Sequence, residues 1–301
     1  MTYVPRAQRT LSIVAADFSF LEAPRWHDGE LWFSDFYTHR VHALDTHGKV
    51  RTVCVVPGQP SGLGFTPAGQ LLVVSMLGRK ILRREHERLV EVADLSALAP
   101  YHCNDMLVDD HGRAYVGNFG WNTDKSDAVS STVLLLVQPD GDVTVAAEDL
   151  AFPNGMVATT DGTELIVAET FASRISSFDV RADGVLCNRR TWAQFAPHAH
   201  ATIAEAVRSG SVLPDGLALD AEGAIWVGDA AGRGVCRVAK GGTVLDFVET
   251  NDLAVYAAAL GGHDRRTLFM CASPPLPHNP KSEHRSVLLS CRVDVPGAGL
   301  P

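Results

Sequence analysis

The chain has no long apolar run. No stretch approaches the roughly 20 apolar residues that a bilayer-spanning helix needs. Residues 1–14 carry two arginines and no sustained apolar segment before a small-residue cleavage site, so they do not read as a secretory signal. The six cysteines, at 54, 103, 187, 236, 271 and 291, form no C-x-x-C pair and no zinc-finger spacing. Scattered thiols without a secretion signal are expected to be reduced and mostly buried, which points to a cytoplasmic location. A basic surplus is missing as well: 26 Lys and Arg stand against 35 Asp and Glu, a net charge of −9. Nucleic acid and anionic membranes, which need a basic face, are therefore poor partners. No serine sits in a G-x-S-x-G elbow, Ser34 beside Asp35 included, which argues against a serine-nucleophile hydrolase. The glycine-rich stretches lack a strand–loop–helix phosphate fingerprint.

What the chain does contain is a repeat. Hydrophobic residues make up 46% of the 301 positions, enough for a large core. One pattern recurs six times: an apolar segment, a tight turn, and a second apolar segment ending in a small or acidic residue. The copies are EAPRWHDGELWFSD from Glu22, SGLGFTPAGQLLVVS from Ser61, NDMLVDDHGRAYVGN from Asn104, NGMVATTDGTELIVAE from Asn154, DGLALDAEGAIWVGD from Asp215 and AAALGGHDRRTLFMCA from Ala257. Alternating apolar residues around Asp-Gly or Ala-Gly mark a β-hairpin, with glycine supplying the positive φ of the turn. Turn glycines fall at 29, 69, 112, 162 and 223, with a sixth turn near Asp264. Strand-like pieces at 41–44, 133–137, 175–180 and 235–238 bring the content to about four strands per copy, that of a propeller blade. The expected fold is all-β, a single six-bladed propeller domain over residues 1–301. Two insertions, at 119–131 and 192–211, read as loops over one face, the second with a short helix at 201–208.

Register then suggests a site. Aligned on the hairpin turns, the residues that open the six copies are Glu22, Ser61, Asn104, Asn154, Asp215 and Ala257. Innermost propeller strands line an axial channel, so equivalent positions form a ring. Four of these carry carboxylate or amide oxygens, a donor set suited to a hard cation such as Ca²⁺, Mg²⁺ or Mn²⁺. Taken singly, Asn154-Gly155 and Asp215-Gly216 are ordinary turn signals; their shared register is what favours a site.

At these stretches the chain resembles the senescence marker protein/gluconolactonase/luciferin-regenerating enzyme family, over about 21–272. The resemblance implies a six-bladed propeller holding one divalent ion, Ca²⁺ first, with Mg²⁺, Mn²⁺ or Zn²⁺ as alternatives. It implies metal ligands at Glu22, Asn154 and Asp215, and a substrate- or water-contacting Asn104. It also implies a hydrolase that opens a lactone or ester, with Asp215 as general base and Asn104 orienting substrate or water. The sequence departs from the family pattern at two positions. Ala23 replaces the glycine after the glutamate. His102 stands where sugar-lactone hydrolases carry an arginine, which favours a less hydroxylated substrate than an aldonolactone. His102, Trp121 and His200 are the further candidate substrate contacts. His198 and His200 otherwise read as exposed loop residues, Cys103 as a buried structural thiol, and Trp26, Trp32 and Trp226 as core. Other readings are an arylesterase or phosphotriesterase of the calcium-propeller type, and a non-catalytic calcium-binding or interaction propeller.

Overall fold

A computed structural model describes residues 9–275 and 280–299, so residues 1–8 of the leading segment lie outside it. It contains six four-stranded antiparallel sheets. The innermost strands are Leu21–His27, Pro60–Phe65, Cys103–Val108, Pro153–Ala158, Pro214–Leu219 and Ala254–Gly261. Each packs against the next around a ring, and the sixth closes on the first. Five sheets are consecutive in sequence. The sixth takes its outermost strand, Ser12–Phe18, from the start of the chain, hydrogen-bonded to Ser286–Arg292 near the end. The propeller is thus closed by backbone hydrogen bonds between the two ends of the chain.

Sequence pattern sets the order within a blade. Inner strands are buried throughout most of their length, because another blade packs on each side. Outer strands such as Val50–Val55 and Val143–Leu150 bury only scattered residues. Between blades lie separate apolar clusters, for example Leu72, Ile81, Val116 and Leu135 between the second and third, and Ile166, Ile175, Leu217 and Val227 between the fourth and fifth.

The five turn glycines have φ between 68° and 80°. In the sixth turn Arg265 takes the left-handed role, at φ 55°, and its amide donates to the Gly262 carbonyl at 3.0 Å. Gly155 and Gly216, by contrast, are not in turns. They lie inside inner strands, where a Cβ on Gly155 would collide with the Asp215 backbone and one on Gly216 with Ala257. Asn-Gly and Asp-Gly are therefore axial packing signals here: glycine lets neighbouring inner strands approach.

Three expectations need correction. The helix is shorter than expected, Ile203–Arg208. Trp192 belongs to the outer strand Leu186–Gln194, where it is buried in the core, so the second insertion begins after it. Trp226 is core, but Trp26 and Trp32 are only half-buried; Trp32 lies under Arg51, 5.2 Å from its ring. All six cysteines are free thiols, four of them buried.

Candidate active site

Glu22, Ser61, Asn104, Asn154 and Asp215 are each the second residue of an inner strand. The pairing with the neighbouring strand slips at this point in every blade, between Pro153 and Met156 or between Pro214 and Leu217, for instance. Such bulges re-aim side chains at the ends of sheets. Here they stand at the carboxylates and amides of the channel mouth, all of which are buried.

Asp215 lies close enough to Glu22, and Asn154 to Asp215, to shift the neighbouring carboxyl. The Asn154 amide lies beside the Asp215 carboxylate and counters part of its upward shift. Its Nδ2 also donates to Thr170 Oγ1 at 3.2 Å, and that hydroxyl donates to the Pro214 carbonyl at 2.9 Å. Thr170 thus ties Asn154 to the strand that carries Asp215. Burial, followed by the charges of Asp215 and Asp105, pushes the Glu22 carboxyl well above the usual range. Asp215 is raised in the same direction by burial, then by Asp105 and Asp229. Compensation inside the chain is small. Glu22 Oε2 accepts from the Ala23 amide at 3.0 Å. Asp215 Oδ1 and Asn104 Nδ2 are buried without a hydrogen-bond partner.

Buried carboxylates that face one another need either a proton or a counter-ion. The acceptor-rich group Glu22, Asn154 and Asp215, with one carboxylate oxygen unpartnered, fits a hard divalent cation. Among the described residues no group of three or more His, Cys, Asp or Glu is placed to hold a metal ion by itself. A cation would therefore rest on the amide oxygens as well as the carboxylates.

Sequence reasoning missed the residues under this group. Arg25, from the first inner strand, reaches the third: its Nη2 donates to Asp105 Oδ1 at 2.8 Å and to the Met106 carbonyl at 2.7 Å. Asp105 Oδ1 also accepts from the Met106 amide. Both charged side chains are 7% exposed. The available clue was a further charged residue beside the ring position in two inner segments, Arg25 after Glu22 and Asp105 after Asn104. Asp229 was visible as the acidic residue that ends the fifth copy. It accepts from the amides of Leu213 at 3.1 Å and Ala231 at 3.2 Å, fixing the loops beside Asp215. Asp35 does the same in the first blade, accepting from Ser19 and Phe20.

The remaining candidates are dispersed. His102, half-buried, immediately precedes the third inner strand and stacks on Tyr101, with ring centroids 3.8 Å apart. Burial lowers its pKa against an upward pull from Asp124, so it is a neutral imidazole near pH 7. Trp121 is 9% exposed and packs with Phe171, Ala206 and Leu213 beneath the short helix. The two insertions are joined there: Val129 donates to Ala201 O and Ile203 to Asp127 O, each at 2.9 Å. His200 is buried, with Nε2 2.9 Å from Ser173 Oγ, so only His198 of the pair is the exposed loop residue expected. Cys103 is fully buried and its thiol is pushed up to about 12, as a structural cysteine requires.

Fold and site together define a six-bladed propeller with a buried carboxylate–amide group at one mouth of its channel. The chain belongs to the SMP-30/gluconolactonase/LRE-like family, whose model matches residues 20–273. A 6-deoxy-6-sulfogluconolactonase of Pseudomonas putida is 26% identical over 97% of this chain and 98% of its own length. Pentonolactonase XacC of Haloferax volcanii is 27% identical over 83% of this chain and 80% of its own. Among solved structures, a calcium-binding regucalcin from Agrobacterium tumefaciens superposes with a TM-score of 0.78 at 20% identity, covering 100% of this chain and 98% of that one. Among the described residues no helix is long and apolar enough to cross a membrane.

Proposed function

We propose that this chain is a metal-dependent hydrolase that opens a small lactone or ester. The carrying observation is the buried Asp215 carboxylate, which has an unpartnered oxygen and faces Glu22 and Asn154. The lactonases among its relatives support the reaction class. Glu22, Asn154 and Asp215 would hold one divalent cation, Ca²⁺ in first place. When bound, such a cation polarises an acyl carbonyl and offsets the negative charge that develops on its oxygen.

The chain's own residues supply the rest. Asp215 Oδ1 has free lone pairs in a site shielded from bulk water, so it can take a proton from an attacking water. The water oxygen bonds to the acyl carbon and the acyl C–O bond breaks. The proton held at Asp215 passes to the departing alkoxide oxygen, and the new carboxylic acid loses its own proton to solvent. Asn104 has an unpartnered Nδ2 that can donate to a substrate oxygen and fix its orientation. Thr170 keeps Asn154 beside Asp215 throughout. Cys103 takes no part, because a thiol pushed up to about 12 is not a nucleophile at neutral pH.

The test is a panel of lactones, aryl esters and organophosphates assayed with and without chelator, each divalent metal then being restored. Lactone opening should vanish on chelation and return with metal. Turnover untouched by chelation would overturn the reading.

A further inference from the structure

The mouth above the carboxylates is built largely of rings. Phe20, His102 and Phe152 each immediately precede an inner strand, and Phe119 follows a second strand, so all stand at the channel end that carries Glu22, Asn104, Asn154 and Asp215. Tyr37 and Tyr101 flank them. All six turn part of their surface to solvent.

They form two groups. Phe20 packs on Tyr256 at 4.6 Å and on Tyr37 at 6.5 Å between ring centroids, and belongs to the first and sixth blades. His102 meets Phe119 at 5.8 Å, and Phe119 stacks on Phe152 at 4.6 Å and 30°, at the third and fourth blades. In a closed ring of six, these pairs of blades stand across the axis from each other. The two aromatic walls therefore oppose each other over the carboxylate floor.

Charged residues at this mouth sit on its loops, Asp124 and Lys125 after the second strand of the third blade and Lys281, Glu283 and Arg285 after that of the sixth. Asp124 lies near both tyrosines: burial first and then its charge push up Tyr37 and Tyr101. Lys281 Nζ lies 5.7 Å over the Tyr37 ring. Arg79 donates to the Ser96 and Ala99 carbonyls and so is tied to its own loop. Among the described residues, none of these cations forms the forked site that a sulfonate or carboxylate substituent would need. A row of sugar hydroxyls would also leave donors and acceptors against ring faces, at a desolvation cost.

We propose that the mouth takes a lactone or ester bearing a flat, uncharged aromatic ring, which slots between the Phe20 and Phe119 walls above Asp215. This rests on the hydrolase reading. Ring faces in offset or edge-on contact gain more than area burial alone supplies.

The experiment compares three six-membered lactones: isochroman-3-one, δ-valerolactone and glucono-δ-lactone. The benzo ring of the first is remote from the ester oxygen bond, and each rate is divided by its uncatalysed rate at the same pH. kcat/KM for isochroman-3-one should exceed that for δ-valerolactone by about 10-fold, the size of an aromatic contact. Phe20→Ala and Phe119→Ala should each collapse that ratio toward one. Isochroman, the ether that cannot be hydrolysed, should bind chelated protein and lose binding in both variants, read by ligand-observed NMR. Equal or better turnover of glucono-δ-lactone would overturn the aromatic mouth and leave the hydrolase standing. Variant-sensitive isochroman binding without turnover of any lactone would support the mouth and sink the hydrolase.

Discussion

Two buried glutamates in this propeller meet opposite fates. Glu169 ends the second strand of the fourth blade, and its carboxylate is saturated. Arg174 donates at 2.9 Å, Arg189 at 2.6 Å and Ser176 at 2.5 Å to Oε1, while the Ala151 amide reaches Oε2 at 3.0 Å. Burial would raise its pKa, but these partners hold it below the usual value. Glu22 is buried as well, yet it receives one backbone amide and faces two carboxylates. A buried charge must find its partner somewhere. Glu169 has found it inside the chain and is structural. Glu22, like Asp215, is left raised, with only the Ala23 amide and the charge of Arg25 to offset it, which is the opening the proposed cation would fill.

The largest expected effect is on turnover. On the proposed reading Asp215→Ala removes a cation ligand and the proton acceptor together, so kcat should fall by at least about 10³-fold, and metal content measured by elemental analysis should fall with it. Glu169→Gln should leave bound metal at the wild-type ratio. An Asp215→Ala protein with wild-type turnover would erase the distinction between the two carboxylates.

Stability should show the reverse order. Replacing Glu169 by Gln strands two arginines, and Arg25→Met strands Asp105 beneath the site. Breaking a buried pair from one side typically costs about 3–5 kcal/mol. Arg25→Met should lie in that range, because both partners are 7% exposed. Glu169→Gln should cost less, since Arg174 and Arg189 are each 29% exposed and can rehydrate. Adding Asp105→Asn to Arg25→Met should recover part of the loss in urea unfolding; no recovery would mean that the pair is not coupled.

The two glutamates should also respond to pH with opposite signs. In metal-free protein Glu22 and Asp215 titrate above their unfolded values, so the native state binds the extra protons. Stability from these groups is complete below about pH 4, the unfolded carboxylate range, and is lost as pH rises through the folded pKa. Glu22→Gln should therefore gain stability relative to chelated wild type as pH climbs from about 4 toward neutrality. The contribution of Glu169, whose pKa is lowered, is present above its unfolded pKa and disappears as pH falls through the folded one. Urea titrations of both variants across this window would expose parallel rather than opposed trends, which the contrast forbids.

The blades and the ring are legible in the amino-acid order alone. Six hairpins in one register mark the blades, and the second residue of five of the inner strands marks the ring, because both follow from local pattern. The Arg25–Asp105 pair is not legible in that way. Its partners are 80 residues apart and lie on inner strands with another between them. Only closure of the ring brings the first blade to the third. His200 reads as exposed for a related reason: its burial depends on the Ser173 hydroxyl and the Phe171 carbonyl, which a short turn in the fourth blade presents. Asn154-Gly155 and Asp215-Gly216 look like turns because sequence alone cannot distinguish a glycine needed for positive φ from one needed for lack of bulk.

Ala23 offers the smallest and most local test. It follows Glu22, donates its amide to that carboxylate, and adopts φ 49° in the left-handed region that favours glycine. An alanine held there costs about 1 kcal/mol of backbone strain, which the cross-strand slip around Glu22 keeps in place. Ala23→Gly relieves that strain but loosens the unfolded chain by a comparable amount, so stability should rise by no more than about 1 kcal/mol. Metal affinity should stay within about 3-fold of wild type, because the amide that holds Glu22 is retained. Calorimetry on the two proteins decides the point: a clear loss of stability would mean that Ala23 is unstrained, and a large loss of metal affinity would mean that its methyl group, rather than its amide, positions Glu22.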